Sequence, residues 1–179
     1  MKIKLKKYLF PGFSLIELLV VISIIGILAT LVLTNLTSAR ARARDAKRKS
    51  DLDSINKSLR LYYNDAQNFP LGDSSSGYAI KGCGTVAIPT VCSWGSAFST
   101  TTNVYMGTLP RDPSSTSSSV ITYNYYSDGS DTFALIALLE NISDPSIAES
   151  QANCAAPYAA FLAAGGDQDT THDYVICAQ

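Results

Sequence analysis

Basic residues are scarce beyond the first third of this 179-residue chain: after Arg60 the only lysine and arginine residues are Lys81 and Arg111. A surface with so little positive charge does not favour nucleic-acid binding. The chain has one histidine, His172, and contains no G-x-S-x-G sequence, no metal-binding histidine pair and no P-loop. Because Ser-His-Asp catalysis would have to use that single histidine, the sequence predicts a protein that is not an enzyme.

Proline and glycine are absent between Ala29 and Phe69, so neither residue interrupts a helix there. The residue before a proline is pushed out of helical geometry, which predicts that the helix ends ahead of Pro70. A helix from about Ser14 to Ala66 would be roughly 80 Å long. Apolar residues in its second half recur at steps of three and four, as on one face of an amphipathic helix: Leu52, Ile55, Leu59, Tyr62 and Ala66.

An apolar run of 21 residues extends from Phe13 to Leu33. Its polar side chains are few: Ser14, Glu17, Ser23 and Thr30. About 20 apolar residues in a helix span the ~30 Å hydrocarbon core of a bilayer. An ordinary signal peptide has a shorter apolar core and its small-residue cleavage site comes afterwards, whereas Gly12 precedes this run. The sequence therefore predicts a membrane-spanning helix that is retained.

The charges on either side of the apolar run conflict. Four of the first seven residues are lysines, which favours a cytoplasmic N-terminus. A second basic run, Arg40–Lys49, follows the apolar residues and favours the opposite orientation, so charge counting alone leaves the orientation open. The simplest interpretation of this second run is a solvated helix face. Anionic lipid headgroups, ion pairs between copies of the chain, and DNA are the alternatives.

Four cysteines lie after Pro70, and no two of them form a C-x-x-C pair: Cys83, Cys92, Cys154 and Cys177. An even number behind an export-type N-terminus favours disulfide bonds, and the wide spacing argues against zinc. Three connectivities are possible. The pairing Cys83–Cys92 with Cys154–Cys177 is favoured because each bond closes a short loop.

The composition after Pro70 shifts to Ser, Thr, Gly and Asp, which is typical of exposed loops. Strands are predicted at Val120–Tyr126 and Asp173–Ala178, and Thr132–Leu139 could be a strand or a helix on periodicity alone. The Asp-Gly pair within Ser127–Asp131 favours a hairpin. We therefore expect an α+β fold, with a small antiparallel sheet packed on the amphipathic half of the long helix.

Two groups of aspartates could supply oxygen ligands to a calcium ion: Asp128 with Asp131, and Asp167 with Asp169 and Asp173. Neither group has the spacing of an EF-hand loop, and the Asp-Gly pair is already explained as a turn. Calcium remains an alternative here, and no other cofactor is expected.

The residues around the start of the apolar run form a recognisable motif. Gly12-Phe13-Ser14-Leu15-Ile16-Glu17, followed by the run itself, closely resembles the processing site of type IV prepilins and type II secretion pseudopilins. The resemblance is closest over residues 12–33 and extends along the helix to about Ala66. Further along, Leu109–Pro113 predicts a turn and is also similar to a segment of the distal domain of the major pseudopilin.

This resemblance implies cleavage between Gly12 and Phe13 by a membrane aspartic peptidase, followed by N-methylation of the new Phe13 amine. Glu17 is an ionisable residue in an apolar helix, and such residues are expensive in a membrane and often functional. Cleavage would create a cationic amine that pairs with Glu17 of a neighbouring subunit. We therefore predict that Glu17 sets the register of assembly.

The sequence departs from this family at two positions. Thr34 stands where many pilins have a proline about twenty residues into the mature chain, which leaves Gly26 as the position where the helix could loosen. Pro11 precedes the glycine of the cleavage site, where the family often has a basic residue.

These observations predict a type IV pilin-like organisation. Residues 1–12 are a leader peptide, 13–36 a transmembrane and filament-core helix, 37–67 its amphipathic continuation, and 68–179 an extracellular head domain. The resemblance implies a precursor held in the membrane with its N-terminus in the cytoplasm, prepilin peptidase, assembly platform and ATPase as partners, and a homopolymeric extracellular pilus. The alternatives are a type II secretion pseudopilin that forms a short periplasmic piston, and a single-pass membrane-tethered binding protein.

Overall fold

The computed structural model describes residues 12–76, 78–85, 87–115, 123–166 and 169–178. The chain divides into two compact units, Met1–Arg40 and Ala41–Gln179. The helices are α1 (Leu15–Ala66), α2 (Ser146–Asn153) and α3 (Ala155–Ala163). The strands are β1 (Leu71–Asp73), β2 (Ala79–Lys81), β3 (Cys83–Gly84), β4 (Pro89–Thr90), β5 (Phe98–Ser99), β6 (Val104–Met106), β7 (Asn124–Tyr126), β8 (Ala134–Leu138) and β9 (Asp173–Cys177).

The strands of the described residues form three antiparallel pairs and one larger sheet. β1 pairs with β2, β3 with β4 and β5 with β6, while β7, β8 and β9 form a three-stranded antiparallel sheet in that order. A long helix followed by small antiparallel sheets confirms the predicted α+β fold class.

Among the residues that the structure describes, no helix is both long enough and apolar enough to cross a membrane. The membrane-spanning role of residues 13–36 stays a prediction from the sequence.

The predicted apolar face of α1 is confirmed in the second unit. Leu52, Ile55 and Leu59 have no exposed surface, and Tyr62 is 4% exposed. These side chains pack in one cluster with aromatic residues of the loops and the sheet: Phe69, Phe98, Tyr123, Tyr125 and Phe133. Burying this apolar face supplies the main driving force for folding of the second unit.

The central strand β8 is buried on both of its faces. Leu135 and Ala137 belong to the cluster that packs on α1, whereas Ala134 and Ile136 pack with Tyr158, Phe161, Val175 and Cys177. A strand covered on both sides has no polar alternation, which explains why the sequence could not distinguish a strand from a helix at this position.

The hairpin predicted from the Asp-Gly pair is confirmed. Asn124 pairs with Ile136 and Tyr126 with Ala134, so β7 and β8 are antiparallel neighbours. Gly129 has a φ of 84°, a left-handed conformation that glycine adopts without steric cost. The first residues of the predicted strand, 120–122, lie outside the described residues.

Helix α1 ends at Ala66, ahead of Pro70 as predicted. Gln67 follows with a φ of 58°, and its N–H donates to the carbonyl of Tyr63 at 2.8 Å. The chain then leaves the helix, and the N–H of Phe69 donates to the carbonyl of Ser130 at 3.1 Å.

Helices α2 and α3 are not among the elements predicted from the sequence, and the structure corrects this. Tyr158 and Phe161 of α3 face the sheet, and both are buried. Alanines occupy much of α3, and they have the highest helix propensity of any residue. The alanine-rich sequence favours a helix at α3. The two helices have only eight and nine residues, which is too short for a clear apolar periodicity.

Two disulfide bonds join Cys83 to Cys92 and Cys154 to Cys177, and the described chain has no free cysteine. This is the pairing that the short loops favoured. The first bond joins β3 to the residues that follow β4, and the second joins β9 to the junction of α2 and α3.

Removing the Cys154–Cys177 bond should destabilise the protein more than removing the Cys83–Cys92 bond. The sequence separations are 23 and 9 residues, and loop-closure entropy gives about 3.4 and about 2.6 kcal/mol. Urea unfolding of the purified chain carrying Cys→Ala pairs measures the difference. A larger loss from the Cys83–Cys92 pair would contradict this prediction.

Candidate assembly surface and its supporting ion pairs

The first helical turns of α1 expose apolar side chains on every side of the helix. Leu15 is 86% exposed, and Ile22 and Ile27 are exposed by 63% and 65%. The other large apolar residues between positions 13 and 28 are also exposed, so no single face is covered within the first unit. An exposed apolar surface of this extent marks an interaction site.

Two hydroxyl groups of this helix, those of Ser23 and Thr30, make hydrogen bonds to the backbone of the helix itself. The Ser23 hydroxyl donates to the carbonyl of Val20 at 2.7 Å, and the Thr30 hydroxyl donates to the carbonyl of Ile27 at 2.8 Å. A hydroxyl that is satisfied within its helix needs no partner from water. The segment can therefore enter an apolar environment without leaving these donors unpaired.

The predicted cleavage site and Glu17 lie at the beginning of α1. Gly12 and Phe13 precede the helix, and Glu17 is in its first turn, where a carboxylate interacts favourably with the helix dipole. An added Cβ at Gly12 would meet nothing within 4 Å, so the backbone is open there. The Glu17 carboxylate is exposed and accepts no hydrogen bond from the described residues. It is available to a cation from outside the chain.

Four basic residues of the Arg40–Lys49 run form ion pairs within the chain, and the interpretation as a solvated face is wrong for Arg48, which is buried. Arg48 is only 2% exposed. Its Nε donates to Asp112 at 2.6 Å, and its Nη1 donates to Asp45 at 2.6 Å and to Glu140 at 2.9 Å. The remaining pairs are Arg44 with Glu140, Lys47 with Asp51 and Lys49 with Asp144.

Asp45 extends this network to the backbone. Its carboxylate accepts the N–H of Glu140 and that of Asn141, each at 2.9 Å. Side chains of α1 therefore bind the residues that follow β8 through charge-assisted hydrogen bonds, which are stronger than neutral ones. Apolar packing holds α1 on the sheet without strong directional preference. These hydrogen bonds add directional contacts between α1 and the residues after β8.

The ion pairs shift the pKa values of the groups that form them. Hydrogen bonds from Arg44, and then from Arg48, lower the pKa of Glu140 to about 2, although partial burial acts against this shift. The hydrogen bond from Lys49, with a further one from Ser146, lowers the pKa of Asp144 to about 2. Burial opposes the charge of Arg48, but hydrogen bonds to Asp112, Asp45 and Glu140 outweigh it and raise its pKa.

Asp51 has a second partner besides Lys47. The Tyr123 hydroxyl donates to it at 2.9 Å, and burial together with this hydrogen bond raises the pKa of Tyr123.

Sequence reasoning missed Asp45, Asp112 and Glu140 as partners of Arg48. Only Asp45 could have been found from its helical spacing to Arg48, because the other two are brought in from distant loops.

Several of the predicted calcium ligands accept hydrogen bonds within the described chain. Asp131 accepts a hydrogen bond from the Tyr63 hydroxyl at 2.8 Å, and Asp128 accepts one from the Ser130 N–H at 3.0 Å. Asp173 is buried and accepts a hydrogen bond from the Tyr158 hydroxyl. Asp167 lies outside the described residues. Within the part of the chain that the structure describes, no three His, Cys, Asp or Glu side chains are grouped as a metal site.

Comparisons with known proteins agree with this N-terminal geometry. A family described as the Prokaryotic N-terminal methylation motif matches residues 11–33. The Type II secretion system core protein G of Dickeya chrysanthemi is 36% identical over 70 residues, which cover 39% of this chain and 46% of that protein. The protein of the same description from Escherichia coli K12 is 41% identical over 59 residues, covering 33% and 41%.

A pilus protein is similar to the same extent. The Type IV wide pilus major component PilA4 of Thermus thermophilus is 43% identical over 58 residues, which cover 32% of this chain and 44% of that protein. The chain thus spans less than half the length of each of these relatives. No solved structure is significantly similar to it.

Replacing Arg48 by alanine should destabilise the second unit by about 3–5 kcal/mol, because Asp45 and Asp112 would remain buried without their cation. Urea unfolding of the full chain in detergent measures the loss. The matched control is Arg42→Ala, an exposed arginine of the same run, which should change stability by less than about 0.5 kcal/mol. Similar unfolding free energies for the two variants would contradict the prediction.

The stability of the protein should fall as the pH decreases from about 4.5 to about 2. Glu140 and Asp144 have pKa values of about 2, below their ordinary values of 4.5 and 3.8. The unfolded chain therefore binds more protons in this window, and the contribution of the carboxylates is lost as the pH falls. Unfolding free energies of Glu140→Gln should depend less steeply on pH there. An unchanged slope, equal to that of the Asp53→Asn control, would refute this assignment.

Proposed function

The prepilin motif and the curated relatives support the pilin and pseudopilin family for this chain, and we propose that it is a type IV pilin subunit that polymerises into an extracellular filament. The exposed apolar surface of residues 13–28 carries this proposal. A helix that is apolar on all sides needs either lipid or other helices around it. In the precursor, lipid surrounds the helix. In the filament, the helices of other subunits surround it.

The open backbone at Gly12 supports processing at this position. Residue 12 has no side chain, and the space around it is open, so a membrane peptidase can approach the bond between Gly12 and Phe13. Cleavage releases the lysine-rich leader and leaves a cationic amine on Phe13. In the family, prepilin peptidase performs this step and methylates the amine, and an assembly platform with its ATPase extracts the subunit from the membrane.

Glu17 then determines how subunits meet. Its carboxylate has no partner among the described residues, and the Phe13 amine of an adjacent subunit supplies one inside an apolar filament core. A buried charge is strongly destabilising when its partner is missing. The pair therefore favours the register in which both charges are neutralised and disfavours the others.

The relatives described as Type II secretion system core protein G favour a second candidate, a pseudopilin that forms a short periplasmic piston. Deletion of the gene distinguishes the two functions. Loss of surface filaments supports the pilin. Failure to export an enzyme, with surface filaments unchanged, supports the pseudopilin.

Replacing Glu17 by alanine should allow leader removal but reduce filament yield by about tenfold or more, because the buried Phe13 amine loses its partner at a cost of about 3–5 kcal/mol. Mass spectrometry of the mature N-terminus and quantification of sheared filaments measure the two steps separately.

The control variant Gly12→Val should instead block cleavage and leave the full-length precursor. Normal filament yield from Glu17→Ala would exclude the proposed pair. A wild-type chain that retains Met1 and never polymerises would exclude the pilin and leave the membrane-tethered binding protein.

A further inference from the structure

Three asparagines of the chain stand two residues before a serine or threonine, in the sequence Asn-x-Ser/Thr that N-linked glycosylation requires: Asn35, Asn56 and Asn141. Such a tripeptide also occurs by chance, so the local structure decides which of them can be an acceptor. A transferase must bind the asparagine amide and the hydroxyl two residues later at the same time. Both groups must therefore be accessible and turned to the same side of the chain.

The two acceptor sequences in helix α1 do not meet this requirement. Asn35 and Asn56 lie within α1, and residues two positions apart on a helix do not face each other. In the second sequence, the Ser58 side chain is buried and its hydroxyl donates to the carbonyl of Ile55 at 2.7 Å. The side-chain oxygen of Asn56 accepts the Nε–H of Arg60 at 3.1 Å. Neither sequence can present its amide and its hydroxyl together while α1 is intact.

The third acceptor sequence, Asn141-Ile142-Ser143, lies in the turn between strand β8 and helix α2. Ile142 is 59% exposed, and Ser143 is exposed as well. The side-chain oxygen of Asn141 accepts the backbone N–H of Ser143 at 3.4 Å. This Asx turn folds the asparagine side chain towards the residue two positions ahead. The two residues that a transferase must recognise are therefore brought together at the surface.

The groups that would react or be recognised are not engaged elsewhere. Within the described chain, neither the side-chain amide of Asn141 nor the hydroxyl of Ser143 donates a hydrogen bond. The backbone of the turn, in contrast, is held in place. The N–H of Asn141 donates to Asp45 at 2.9 Å, and the N–H of Asp144 donates to the carbonyl of Asn141 at 3.1 Å. An available side chain on a fixed turn lowers the ordering cost of binding to an enzyme.

The compartment of the second unit is also suitable. Both disulfide bonds belong to this unit, as does the turn that contains Asn141. Disulfide bonds form and persist outside the cytoplasm, which is the side of the membrane on which lipid-linked glycans are transferred to proteins. The disulfide-bonded unit and the glycan donor therefore meet in one compartment.

We propose that the Asn141 side chain is the acceptor for N-linked glycosylation by a transferase that uses a polyprenyl diphosphate-linked glycan. The amide Nδ2 attacks the anomeric carbon of the first sugar and forms the new N–C bond. The bond from that carbon to the diphosphate oxygen breaks, and polyprenyl diphosphate leaves. A carboxylate of the transferase takes one amide proton, and no oxidant or reductant is needed. The proposal requires an exported second unit but does not depend on filament formation.

Mass spectrometry of the full chain, purified from the cells that produce it naturally, tests the proposal. Trypsin cleaves after Arg111, and no lysine or arginine follows, so residues 112–179 remain in one fragment with Asn141 as its single acceptor sequence. We expect this fragment to carry the added mass of a glycan, and electron-transfer fragmentation should place that mass on Asn141. An unmodified fragment, or a glycan on a serine or threonine, would overturn the proposal.

Variants produced in the same cells test the recognition of the acceptor sequence. Asn141→Gln and Ser143→Ala should each abolish the added mass, because they remove the amide and the hydroxyl that the transferase binds. Ser143→Thr keeps the hydroxyl and should retain the glycan. The matched control is Asn56→Gln, which removes an acceptor sequence in the helix and should leave the added mass unchanged.

Masses measured without reduction show whether both disulfide bonds have formed, so that a misfolded variant is recognised. A Ser143→Ala chain that folds and retains the glycan would contradict the proposal.

The outcomes separate this inference from the proposed function. Filaments built from a chain whose Asn141 is unmodified would overturn the glycosylation and leave the pilin assignment intact. A chain that carries the glycan on Asn141 but never forms filaments would support the glycosylation and exclude the pilin.

Discussion

The exposed apolar surface of residues 13–28 is the constraint on which the rest depends, because water does not tolerate a helix whose apolar residues face every direction. The Ser23 hydroxyl, and that of Thr30 further along the helix, are satisfied by the helix backbone, which lowers the cost of placing the helix in lipid or among other helices. Exchange between these two environments is what a polymerising membrane subunit requires. The charged carboxylate of Glu17 raises the free energy of this segment in both environments unless a cation pairs with it.

In the second unit, the amphipathic part of α1 packs against a small set of strands. The apolar face of α1 provides the driving force, but apolar packing alone specifies position loosely. The buried Arg48, with Asp45, Asp112 and Glu140 around it, adds directional bonds that are satisfied in one arrangement only. Two disulfide bonds close loops in the strand-poor remainder, where short strands would otherwise leave the backbone with few constraints.

Charge has a consistent division of roles along the chain. The buried Arg48 and the partly buried Arg44 and Lys49 each have a carboxylate partner within the same copy. The charged residues without such a partner in the described chain include Arg40, Arg42, Lys57, Asp53 and Glu149, and all five are exposed. Because an unpaired charge at the surface costs little in a free subunit and can be paired in an assembly, such residues are suited to contacts between copies.

The sequence by itself determined the features that are local. The processing motif, the apolar run, the end of α1 before Pro70, the face formed by Leu52, Ile55 and Leu59, and the Asp-Gly hairpin each depend on residues close together in the chain. The short loops also indicated the disulfide pairing. The tertiary structure decided what depends on distant residues: Arg48 became buried because Asp112 and Glu140 come from loops 64 and 92 positions away. The run Arg40–Lys49 contains only charged residues and alanines. Its distant partners could therefore be recognised only after folding brought the carboxylates to it.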